Sequence, residues 1–180
     1  MAEKKYKGRK AYLNDFKKNE KGEYAYEGTF YEWKKEPEAY KHTLRTLWVL
    51  GILTLVCAAG AGFFDAPGAV NSFYVIAPYI ISLVAAFSVL WGIIRLTEGK
   101  TPMRAYIYQA SVEKLPVRTL IIMIFAGISL AGEFFYLFRH GSEGKLPAIL
   151  GFLLFEALTF ILALKIRKIV QGMSWEKQEK

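Results

Sequence analysis

FYVIAPYIISLVAAFSVLWGIIRL, residues 73–96, carries a single charge, Arg95, and that charge stands at its far end. At 1.5 Å rise per residue, a helix of about 20 such residues covers the ~30 Å hydrocarbon core of a bilayer. Within lipid, every backbone N–H and C=O must be satisfied inside the segment, so such a run reads as a helix and not as an open strand. Working outward, one similar run precedes it, Leu44–Phe64, and two follow it, Arg118–Phe138 and Leu146–Ile166. The expected fold is an all-α integral membrane protein, a bundle of four transmembrane helices. The expected organisation is a polar N-terminal segment (1–43), the bundle (44–166) and a polar tail (167–180). In a chain of 180 residues, that leaves no room for a large soluble domain beside the bundle.

The charges are placed as a membrane protein requires. The net charge is +8, and a basic balance can mark nucleic-acid binding. Here topology accounts for it. Residues 1–45 hold 12 Lys/Arg, the loop Asp65–Ser72 none, the stretch Arg95–Arg118 five, the third loop two (Arg139 and Lys145) and the tail from Lys165 five. One side therefore carries 22 and the other two. Lys and Arg collect on the cytoplasmic side, so both termini are expected there, with two short external loops and no nucleic-acid partner. The first apolar run starts too late for a cleavable signal peptide. Cys57 is the single cysteine and permits no internal disulfide. The chain lacks Asn-x-Ser/Thr sequons, and with the short external loops this points to a bacterial inner membrane.

The polar segments carry structure of their own. Residues 1–43 contain nine aromatics, among them Tyr24, Tyr26, Phe30 and Trp33, whereas disordered tails are poor in them. Asn19-Glu20-Lys21-Gly22 reads as a turn between Lys10–Phe16 and Glu23–Trp33, which predicts a β-hairpin. Between the second and third spans, Thr101 as N-cap and Pro102 at the first helical position open a short interfacial helix. Met103, Tyr106, Ile107 and Ala110 form its apolar face, and it ends before Pro116. Lys41-His-Thr-Leu-Arg-Thr-Leu47 resembles Lys114-Leu-Pro-Val-Arg-Thr-Leu120 at an offset of 73, as two helical hairpins in parallel orientation would produce.

Glu156 is the sharpest chemical signal. It stands mid-span among Leu153, Leu154, Phe155, Ala157 and Leu158, where an acidic side chain costs roughly 3 kcal/mol on insertion scales. Such residues face the bundle interior or a wet cavity and serve as proton or ion sites. Thr54, Ser82 and Ser129 lie at similar distances from the outer ends of their own spans. With Glu156 they predict a polar layer, either a proton or cation site or an interhelical hydrogen-bond cluster. Glu133 lies closer to the outer end of the third span, with Arg139 or Lys145 expected to neutralise it and Asp65 extending an acidic path outward. Ala58 with Gly62, and Gly127 with Ala131, have the small-xxx-small spacing of close helix contacts. Trp33, Trp48, Trp91 and Trp175 read as interfacial belt anchors.

Several chemistries are absent from the sequence. Gly99-Lys100-Thr101 ends like a phosphate-binding loop, but Ile94 stands where the motif needs glycine. His42 and His140 fall on opposite sides of the expected topology. There is no His-Glu-x-x-His, Cys-x-x-Cys or Gly-x-Ser-x-Gly. No catalytic residues, metal site or cofactor are expected. The leading expectation is a non-enzymatic accessory or scaffold subunit of a larger membrane complex, whose partners are the bilayer and another membrane protein or a second copy. The alternative is a small oligomeric proton-coupled transporter or exporter using Glu156.

Overall fold

The computed structural model describes residues 8–18, 22–34, 36–99 and 102–178. Four long helices dominate it: α1 Pro37–Ala61, α3 Phe73–Glu98, α5 Leu115–His140 and α6 Leu146–Gln171. All four are long and apolar enough to cross a membrane, with mean hydropathy of 1.8 to 2.2 over their most apolar stretches. Their ends lie beyond the apolar runs. α1 starts seven residues ahead of Leu44, because Pro37 opens its first turn and polar residues continue the helix. Pro116 and Pro147 stand in the first turns of α5 and α6 in the same way. A five-residue helix, α2 (Pro67–Asn71), fills the loop between α1 and α3.

The bundle is square: α1 packs on α3, α3 on α5, α5 on α6, and α6 back on α1. Every third or fourth residue of each helix is buried. Along α6 these are Ile149, Phe152, Leu153, Glu156, Thr159, Ala163, Ile166 and Val170, the inward stripe of a 3.6-residue period. Pro78 sits inside α3 and has no N–H for the Tyr74 carbonyl. Gly132 of α5 packs against that freed carbonyl; a Cβ there would lie 3.0 Å from Val75 Cγ2 and 3.2 Å from Tyr74 O.

Small residues make the contacts, but not all at the expected positions. Ala58 is fully buried. Gly62 is exposed, although the Tyr79 phenol packs close against it. On α5, Ala131 faces outward and Gly127 is half-buried, while Ala126, Ser129 and Glu133 face the core. The stripe Gly127–Ala131 is thus displaced around the helix from the face that packs. One residue is about 100° of rotation, so a correct spacing in the wrong register faces outward.

A β-layer lies over one end of the bundle. β1 (Phe16–Lys18) and β2 (Tyr24–Tyr26) pair antiparallel, with Phe16 opposite Tyr26. The predicted strand from Lys10 is instead a 3-10 segment, Gly8–Asp15. Asn14-Asp15 favours turn geometry, and the Asp15 carbonyl closes the hairpin by accepting the Glu27 amide at 2.7 Å. The predicted turn at Asn19-Glu20-Lys21 lies outside the described residues. A second sheet, of order β4-β3-β5, joins β3 (Phe30–Trp33), β4 (Met103–Arg104) and β5 (Trp175–Gln178), all antiparallel to β3. Pairing with Phe30 and Tyr31 takes Met103 and Arg104 out of the predicted interfacial helix. That helix, α4, is Ala105–Ala110, and the proposed cap Thr101 lies outside the described residues.

The offset of 73 recurs in these elements. α6 starts and ends 73 residues after α3, and β4 starts 73 residues after β3. Residue 176, a further 73 along, lies in β5. The order is therefore strand, two long helices, strand, two long helices, strand.

Candidate functional site

Two carboxyl groups are enclosed by the bundle. Glu156 and Glu133 each have 0% of their surface exposed. Glu156 is placed by the inward stripe of α6, with Phe155 beside it closing over Gly60 of α1. Neither of its oxygens has a hydrogen-bond partner. Tyr79 of α3 is close enough to feel its charge; that phenol donates to the Ala58 carbonyl at 3.1 Å, not to Glu156. The sequence offered no signal for Tyr79, because a tyrosine in an apolar run reads as core.

Thr54, Ser82 and Ser129 are all fully buried, on three different helices. The structure does not join them to Glu156. Thr54 donates to the Leu50 carbonyl at 2.7 Å and Ser82 to the Tyr79 carbonyl at 2.9 Å, each within its own helix. Ser129 reaches across to the Val75 carbonyl of α3 at 3.4 Å. A short hydroxyl side chain finds the carbonyl one turn back before it finds another helix. The expected hydrogen-bond cluster is therefore replaced by four polar groups that face inward, three of them already satisfied.

Glu133 is held differently from the sequence expectation. Its Oε1 accepts the Gly68 amide of α2 at 3.2 Å, and its Oε2 has no partner. Lys145 instead pairs with Asp65 at 2.5 Å on the surface, and Arg139 lies over the Phe135 ring at 6.0 Å. Neither cation forms an ion pair with Glu133, and Asp65 is engaged by Lys145. Gly68 is required here, because a Cβ would press into the Glu133 carboxyl and lie 3.0 Å from Tyr136 Cβ. Gly68→Ala is expected to lift α2 and cost about 1–3 kcal/mol by overpacking. In a Glu133→Ala background the added cost should fall below ~1 kcal/mol, a coupling that a double-mutant cycle of thermal unfolding in detergent measures.

The β-layered end is knitted by aromatics. Trp33, Tyr40 and Trp175 meet pairwise at ring distances of 5.4 to 5.8 Å, Tyr108 packs on Trp175 at 5.7 Å, and Tyr31 stacks on Tyr108 at 3.9 Å. Trp33 and Trp175 are half-buried and pack against other aromatics of the layer; their indole nitrogens are buried without partners. Trp48 donates to Thr97 at 2.9 Å, while Trp91 points outward at 54% exposure. Tyr26 ties the hairpin down: its hydroxyl donates to the Thr29 carbonyl at 3.1 Å and accepts the Ala105 amide at 3.3 Å. Burial pushes its phenol up, and the Ala105 amide works against that shift.

Two arginines also cross between elements. Arg118 of α5 donates to the Ser88 carbonyl of α3 at 2.6 Å, in space left by Gly92, and Arg167 of α6 donates to the Pro116 carbonyl. Among the described residues no group of three or more His, Cys, Asp or Glu is placed to hold a metal ion. Protein-family models, curated proteins and solved structures contain no match to this chain.

Proposed function

We propose that this is a multi-pass integral membrane protein acting as a non-enzymatic accessory subunit of a larger membrane complex, with the β-layered end as its docking surface. The observation that supports this is the layer itself. Three strands from three distant parts of the chain converge over one end of the bundle and are fixed there by half-buried aromatics. That is more order than an N-terminal segment, one short connection and a tail need, and it presents a fixed polar surface. In this reading the end lies in the cytoplasm of a bacterial cell, where the Lys/Arg excess belongs. The partners are the bilayer and another membrane protein.

Purification from native membranes in mild detergent, with identification of co-purifying chains, tests it. A stoichiometric larger partner is the expected result. Removing residues 8–28 deletes the 3-10 segment and the hairpin and spares β3. The partner should be lost while the bundle remains folded, and full retention would remove the hairpin from the docking surface.

A second reading, a proton-coupled transporter working as an oligomer, is favoured by Glu156 with both oxygens unpartnered. It predicts a homo-oligomer without other chains, and loss of pH-driven flux in Glu156→Gln with folding intact. Flux that persists in that variant would eliminate Glu156 as the coupling group.

A further inference from the structure

A cavity of about 410 Å³ opens at the β-layered end, lined by Tyr12, Arg95, Glu98, Tyr106, Ile107 and Ala110. It holds one guanidinium and one carboxylate, three residues apart on the last turn of α3. That spacing on a helix surface allows an ion pair, and Lys41 with Glu38 forms one at 2.9 Å in this protein, with the acid on the N-terminal side. Arg95 and Glu98 do not pair with each other, and among the described residues neither forms a salt bridge or a hydrogen bond. Instead the Arg95 guanidinium lies over the Trp91 ring at 5.7 Å. The cavity therefore presents a positive and a negative group that do not neutralise each other. The Tyr12 and Tyr106 rings, 5.1 Å apart, stand beside them, and Ile107 and Ala110 add apolar lining.

We propose that this cavity binds the headgroup of a zwitterionic phospholipid carrying a primary amine, phosphatidylethanolamine in chemical class. The phosphate meets Arg95 and the ammonium meets Glu98, with the tyrosine faces beside the ammonium. A headgroup that carries both a phosphate and an ammonium offers each of the two side chains a partner of opposite charge. Trp91, exposed one turn further into the bundle, lies where the acyl chains would begin. An anionic lipid satisfies Arg95 and leaves Glu98 facing a negative headgroup, so the carboxylate sets the preference. This inference rests on the membrane reading.

The test uses the full chain in vesicles and in detergent. Flotation with phosphatidylcholine vesicles checks membrane association alone; failure to float would sink the membrane reading and the lipid site with it. In detergent, native mass spectrometry with equal phosphatidylethanolamine and phosphatidylglycerol should show one retained ethanolamine lipid, at least tenfold preferred. Arg95→Gln should weaken both lipids about tenfold. Glu98→Gln should remove the preference while keeping lipid bound, and circular dichroism checks that both variants remain folded. Equal binding of the two lipids by the unaltered protein, or an unchanged preference in Glu98→Gln, overturns the site in a protein that floats. Soluble phosphoethanolamine competing as well as the lipid would overturn the lipid as the source of the headgroup.

Discussion

Glu156→Leu stabilises the bundle by about 2–3 kcal/mol, against the usual direction of a core substitution. Leucine has nearly the volume of glutamate, so packing changes little. The carboxyl has no hydrogen bond to lose, since both oxygens lack partners. What disappears is the cost of holding a polar group in an apolar interior, which insertion scales put near 3 kcal/mol for an acidic residue against leucine. Over a chain of this size the midpoint of thermal unfolding in detergent should rise by roughly 4–10 °C. Glu156→Gln keeps an unpartnered polar group and should leave the midpoint close to the unaltered value. A lower midpoint for the leucine variant would mean that Glu156 has a bound partner in the membrane, such as a cation or a neighbouring chain.

The second large effect is expected from Tyr31→Pro. Tyr31 lies in the central strand β3, opposite Met103 on one side and Lys177 on the other. Proline removes a ladder donor and is excluded from central strands, and the loss of Tyr31 also removes its stack on Tyr108. The cost should be about 3 kcal/mol, all of it at the β-layered end. Opening of the layer should therefore become more frequent by on the order of a hundredfold, and cleavage by trypsin at Arg104 and Lys177 should accelerate with it. The four helices should remain protected, because their packing does not pass through β3. Equal resistance of the variant would show that the layer does not depend on its central strand.

The spans were readable because twenty apolar residues in a row have few other physical outcomes. Their polar extensions were not, since Pro37–Thr43 continues α1 beyond the apolar signal. The layer was illegible for a different reason. Strands of two to four residues have no measurable periodicity, and β3 finds its partners more than 70 and more than 140 residues away. The 1–43 segment announced its order through its aromatics but not that Trp33 would meet Trp175. Glu156 stood out by depth, whereas its surroundings did not. The hydroxyls share its enclosure but donate elsewhere, Thr54 and Ser82 to carbonyls of their own helices and Ser129 to Val75 of α3. Glu133 was matched to cations, while its actual donor is a glycine amide on a five-residue helix that no pattern marks.

The central position of β3 has a consequence for how the protein is made. The first strand of this sheet to leave the ribosome is completed by one that follows α3 and by another that follows α6. All three must lie in one aqueous compartment to pair. In the proposed membrane reading, two crossings separate each strand of this sheet from the next, so a chain that missed a single crossing would deliver β4 or β5 to the wrong side and could not close the sheet. Closure of the sheet would then distinguish such a product from a correctly inserted one.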